Sequence, residues 1–133
     1  MAISFSTTLR NARADAITTT AGNSGKLRIY SGTRPANPAA AITGTLLAEL
    51  TCNATFAPAA SGGVLTLNAI TQDSAADATG TATHFRLFKS DGTTVVLDGD
   101  VGTSGSDCNI NTTSIVSGAI VAVTSFVLTE ANA

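Results

Sequence analysis

The chain has 133 residues, a net charge of −2 from 7 Lys+Arg against 9 Asp+Glu, and only 12% charged residues, which is a length for one domain able to bury about two-thirds of its unfolded surface. Its 23 Ala, 22 Thr, 12 Ser and 12 Gly make up more than half the sequence. Two Lys and no basic cluster argue against nucleic acid as a partner, one His and two Cys leave almost no ligands for zinc or haem, and a 44% hydrophobic fraction argues against global disorder.

The N-terminus, MAISFSTTLRNARADA, has no basic stretch ahead of an apolar one, so it does not read as a secretory signal. No run approaches the roughly 18 apolar residues of a membrane span, and no membrane association is expected. Ile3 and Phe5 form an extended arm with apolar teeth. Residues 6–17 carry the single helical period, with Leu9, Ala12, Ala16 and Ile17 on one stripe. Ser6 or Thr7 is placed to cap it, and the Thr18–Thr20 run and Gly22 are expected to stop it.

After Gly25 the period becomes two. Lys26–Tyr30 alternates as a strand, with Leu27 and Ile29 on one face. Residues 31–44, holding two of the three Pro, read as a long exposed loop. Thr45–Cys52 is a second strand. Residues 54–59 read as a weak strand that turns at Ser61–Gly63 into 64–67 as a hairpin. A short strand at 70–73 precedes a small, polar loop. Thr81–Lys89 alternates, and Asp91–Gly92 predicts a tight turn into Thr94–Leu97. Asp98 begins another loop, reaching about Gly105. Cys108–Ile110 is short, and Ala119–Leu128, apolar on both faces, reads as a strand buried on both sides. The expected fold is all-β: one antiparallel β-sandwich of jelly-roll type with one short N-terminal helix. Residues 1–24 form arm and helix, and 25–133 the sandwich.

Chemistry-bearing groups are sparse. His84 is the sole candidate histidine base, and its mid-strand place reads as a solvent-facing residue rather than part of a Ser-His-Asp set. The pairs Asp98/Asp100 and Asp73/Asp77 lie in Gly/Ala-rich turns, where Asp is common for backbone reasons. Asp98–Gly99–Asp100 opens like a calcium loop, but Val101 and Gly102 supply no further ligand. Asn53 and Asn111 sit in glycosylation sequons that matter only with a secretory signal. Cys52 and Cys108 are expected to be buried free thiols, although spacing alone leaves a disulfide open. No catalytic residue, metal or cofactor is expected.

Three strings, LRIYSGTRP at 27–35, TGTLLAEL at 43–50 and FRLFKSDGTTVVLDG at 85–99, carry a family likeness. From about Gly25 to Leu128 the chain resembles small structural proteins encoded in the virion-assembly regions of tailed bacteriophages. The resemblance implies a non-enzymatic subunit in many copies on the capsid surface, made in the host cytoplasm. Its implied role is cement or decoration, with the major capsid protein and copies of itself, as a homo-oligomer, for partners. Alternatives are a tail or fibre component and a small carbohydrate-binding β-sandwich module, although the lack of Trp and the single Tyr disfavour a sugar platform. Unused capacity places the candidate interface on the arm and helix start, residues 1–13, and on the loop 31–44. The residues singled out are Ile3, Phe5, Arg10, Arg13, Arg34 and Pro35. Exposed Ile3 and Phe5 would form a sticky patch, the arginines suit carboxylates, and Pro35 stiffens the backbone at Arg34.

Overall fold

Ser6 opens the helix: its extended backbone stops the chain from continuing helically, and its Oγ accepts from the Leu9 amide at 3.2 Å. The computed structural model describes residues 3–130, so Met1 and Ala2 of the arm lie outside the described residues. Helix α1 spans Thr7–Ala21, beyond the end expected near Ile17. The threonine run costs only tenths of a kcal/mol per residue in a helix, and Thr19 Oγ1 donates back to the Asp15 carbonyl at 3.3 Å. Gly22, at φ 68°, ends the helix with its amide on Thr18 O.

The helix docks by a face that the apolar period marked only at Ile17, which packs part-buried against the core. Leu9, Ala12 and Ala16 are exposed, while Ala14 and Ala21 are buried. Polar side chains between them complete backbone groups of the body. Arg10 Nε donates to Glu130 O at 3.0 Å, Asn11 Oδ1 accepts from Gly63 N at 2.8 Å, and Asp15 Oδ1 accepts from Ala60 N at 2.8 Å. The turn at 60–63 would otherwise leave those amides without partners, and that need outweighs a weak apolar stripe. Gly63, at φ 77°, lies so close to the Arg10 guanidinium that a Cβ would stand 2.5 Å from it.

The strands are β1 Lys26–Tyr30, β2 Leu46–Thr51, β3 Val64–Thr66, β4 Gly80–Thr81, β5 His84–Phe88, β6 Val95–Gly102, β7 Cys108–Ile110, β8 Ser114–Ile115 and β9 Val123–Thr129. Seven form one sheet in the order β2-β1-β5-β6-β7-β9-β3, and β4 pairs with β8 separately. The architecture is mostly β with one helix. Registry across β2, β1, β5 and β6 sorts residues into rows. Leu50–Leu27–Leu87–Leu97 and Ala48–Ile29–Phe85–Gly99 line one face. Glu49–Arg28–Arg86–Asp98 lies on the other. The Asp-Gly turn forms as expected, with Asp91 Oδ1 accepting from Thr93 N and Thr94 N, each at 2.8 Å.

The apolar face curls onto itself. The rings of Phe85 on β5 and Phe126 on β9 meet edge to face at 5.0 Å. The two strands stand three places apart in the sheet order, about 14 Å on a flat sheet at roughly 4.8 Å per strand. Gly99 makes room for this contact, because a Cβ there would lie 2.5 Å from the Phe85 ring. Phe56, Leu65, Ile110, Ile115 and Val121 complete the core.

Five strand expectations change, the first being that residues 70–73 form no strand, only single bridges from Thr71 to Thr51 and from Asp73 to Val121. Residues 54–59 form no strand: Phe56 and Ala57 instead drop into the core, and β3 pairs with β9, Val64 opposite Thr129. Pro58 has no amide to give a ladder there. Strand β6 continues through Asp98–Gly102 rather than breaking into a loop, because both aspartates lie on the polar face and pair with arginines there, Asp98 with Arg86 and Asp100 with Arg34. The β6–β7 pair is parallel, Val101 opposite Cys108, within an otherwise antiparallel sheet. Parallel neighbours usually need a crossover of a dozen residues, but this pair is only two residues deep. Residues 103–107 loop back tightly, fixed by Asp107 Oδ2 accepting from Asp100 N at 2.9 Å. Strand β9 is buried on one side only: Phe126 points in, whereas Ser125, Val127 and Thr129 face solvent.

The outer edge of β2 is also covered. Thr51 exchanges backbone hydrogen bonds with Thr71, Glu49 N donates to Asp73 Oδ2 at 3.0 Å, and Leu47 O accepts from Asp77 N at 2.7 Å.

Gly99→Ala should overpack the core against Phe85 at a cost of about 1–3 kcal/mol. Thermal denaturation should show a melting temperature several degrees lower. Adding Phe85→Leu, which shrinks the ring's space, should make the double variant lose less than the two single losses combined.

Candidate functional site

The loop at 31–44 is a strap laid over the polar face of the sheet. Its neck closes where Ser31 N donates to Thr45 O at 3.0 Å and Thr45 N to Ser31 Oγ at 3.3 Å. Asn37 folds the middle locally, with Oδ1 accepting from Ala39 N and Ala40 N at 3.0 Å. The sheet holds the strap through Arg86, whose Nη1 donates to Ala40 O at 2.8 Å and Nη2 to Asn37 O at 3.3 Å. Arg86 can reach up because Asp98 orients it, with Nε to Oδ1 at 2.6 Å and Nη2 to Oδ2 at 2.8 Å. Both side chains are almost completely buried. The fork-shaped guanidinium therefore satisfies two carboxylate oxygens and two backbone carbonyls at once.

His84 lies beneath the strap and is 0% exposed. This corrects its expected solvent-facing place: strand alternation was right, but the face is roofed. The ring stacks on Tyr30 at 5.5 Å and 16°. Its Nδ1 lies 2.9 Å from Thr83 Oγ1, and its Nε2 is buried without a partner. Neither nitrogen faces solvent, so the imidazole has no path to a substrate in this conformation.

The six candidate interface residues fall in two places. Arg34 Nη1 pairs with Asp100 at 3.1 Å and Nη2 donates to Asp98 O at 3.3 Å, pinning the strap's first limb, with Pro35 half-buried beside it. Arg13 pairs with Glu130 at 3.2 Å, and its guanidinium lies 4.9 Å over the Phe5 ring. Arg10 holds Glu130 O and Gly62 O. The structure thus gathers Phe5, Arg10 and Arg13 around the end of β9 and commits all three arginines to bonds within the chain. Ile3 is 72% exposed and Leu9 46%. Sequence reasoning missed the Arg86–Asp98 pair: counted back from the Asp91–Gly92 turn, Arg86 falls opposite Leu97, and the one-residue shift between Leu87 and Phe88 brings Asp98 opposite it instead.

Cys52 and Cys108 are free and buried. Burial, opposed by Lys26, pushes the Cys52 thiol up to about 11. Burial, with help from Cys52 and Asp107, pushes Cys108 up to about 12. Among the described residues, no three His, Cys, Asp or Glu gather as metal ligands, and no helix is long and apolar enough to cross a membrane. No family model, curated protein or solved structure matches the chain.

Asp98→Ala should cost about 3–5 kcal/mol, since it strands a buried guanidinium. Denaturant unfolding checks this, and adding Arg86→Met should restore most of the loss. Thiol titration should find two groups in denaturant and almost none in the native protein at pH 8, where both thiols are protonated and buried. Cys52→Ala or Cys108→Ala should each cost on the order of 1 kcal/mol.

Proposed function

We propose that this protein is a non-enzymatic structural subunit of a tailed-bacteriophage virion, a cement or decoration protein. On this reading it binds the major capsid protein lattice at the capsid surface, as a homo-oligomer, and stabilises the shell. The curled sheet is then a β-sandwich of jelly-roll type, with Phe85 and Phe126 meeting between its layers. The reading starts from the resemblance of segments 27–35, 43–50 and 85–99. The structural observation that carries it is the exposed apolar surface at the N-terminal end.

Ile3 and Leu9 are exposed there while the neighbouring arginines are already occupied. Val116, Ile120 and Val127 are exposed elsewhere on the subunit, and large apolar side chains left in water suit burial against a partner. The strap offers a second surface: Ala36, Pro38 and Ala39 are exposed on a backbone already fixed by Arg86 and Asn37. A preformed surface loses little conformational freedom on binding. Such a role calls for a rigid scaffold and asks for no cofactor.

Quantitative mass spectrometry of purified particles tests the proposal. Copies in the hundreds, in fixed ratio to the shell subunit, are expected. A few copies per particle would move the protein to the tail, and absence from particles would overturn the reading. A chain lacking residues 1–5 should keep its melting temperature and lose particle binding. If that truncation unfolds, Ile3→Ser takes its place, and undiminished binding by that variant would remove the arm from the interface.

A further inference from the structure

The polar face holds a buried, titratable ring at the base of its strap. Thr83 Oγ1 lies 2.6 Å from Gly32 O, 3.4 Å from Tyr30 O and 2.9 Å from His84 Nδ1. A hydroxyl has one proton. Its shortest contact is with Gly32 O, which can only accept, so the hydroxyl donates there. His84 Nδ1 must then carry the hydrogen of the third contact. A neutral imidazole with its hydrogen on Nδ1 has a bare acceptor at Nε2. That atom is buried and has no partner. The neutral ring therefore leaves one acceptor unfilled and no donor unmet.

Protonation reverses this. A hydrogen on Nε2 would be a buried, charged donor without an acceptor, a much costlier state. The groups facing it are Tyr30 from β1, Arg86 from β5, Asp98 and Asp100 from β6 and Arg34 from the strap. Asp98 already gives both oxygens to Arg86. Asp100 stands directly opposite His84 in the β5–β6 register, and it is the carboxylate that pairs with Arg34. An imidazolium is thus either left unpaired next to two guanidinium groups, or it takes Asp100 from Arg34. Both outcomes weaken the strap's hold.

We infer that His84 is an acid-responsive latch whose protonation frees the strap at 31–44 from the sheet while the rest of the fold stays intact. The inference concerns contacts within one chain and does not depend on the proposed virion role. Burial lowers the His84 pKa below 6.5, and Arg34 and Arg86 add to this against the opposing pull of Asp98 and Asp100. A folded value below the unfolded one means that the latch contributes fully above about pH 6.5. It is lost as pH falls through the folded value.

The chain has one His, so its imidazole resonance is unambiguous in a proton NMR titration. The midpoint should lie below 6.5, and the Ala40 and Thr45 amides should move with the same midpoint. Their hydrogen exchange, corrected for intrinsic rates, should be about ten-fold or more faster at pH 5 than at pH 7.5, as for a local opening. Amides of β1 and β5 should stay protected. His84→Phe keeps a ring against Tyr30 but accepts no proton, so its strap exchange should not respond to acid. A midpoint at or above 6.5, strap amides indifferent to pH, or loss of protection across the whole sheet at once would overturn the latch. So would an acid response retained by His84→Phe. If that variant fails to fold, the titration and exchange of the unaltered protein decide the matter alone.

Discussion

The Arg86–Asp98 pair is the contact on which the polar half of the molecule depends. A charge pair this dry contributes little net stability compared with apolar residues of the same shape. Its value is geometric. Asp98 fixes the plane of the guanidinium, and the remaining nitrogens of that plane are what the strap carbonyls meet. Without the strap, Tyr30 and His84 would face water and the sheet would have one covered side. With it, both faces of β5 are buried, and all five residues of that strand are inaccessible.

The two faces are organised by different forces. The apolar face is a matter of volume: leucines in a row, then Phe85 placed where Gly99 yields space. The polar face is a matter of hydrogen-bond accounting, in which each arginine is matched to carboxylates and backbone oxygens. The same accounting seats the helix. Arg10, Asn11 and Asp15 secure α1 through backbone groups at 60–63 and at Glu130. This leaves Leu9, Ala12 and Ala16 outside, with Ile17 alone of the stripe packed against the core.

Much of the strand content was legible because period-two alternation survives in Lys26–Tyr30 and His84–Phe88, and because Asp91–Gly92 fixes a hairpin. The helix was legible in place but not in orientation, since its docking side chains are polar and their partners are backbone atoms without a sequence signature. Residues 54–59 misled because Phe56 and Ala57 are apolar for core filling rather than for pairing. The β3–β9 and β6–β7 pairings join segments whose match depends on the curl, which no local pattern records. Of the candidate site, the strap's place in the chain could be read from its prolines. Its attachment could not, because Arg86 and Asp98 lie in a strand and a presumed loop, and only the register joins them.

The covering of β2 has a consequence for how copies of this chain can meet. Leu47, Glu49 and Thr51 turn backbone groups outward, and residues 71–77 already occupy them. At that end the sheet cannot be lengthened by a neighbour's strand, so open-ended polymerisation along the hydrogen-bonding direction is blocked. Copies meeting on this side must recognise each other through side chains, a contact that single substitutions can retune without disturbing the backbone.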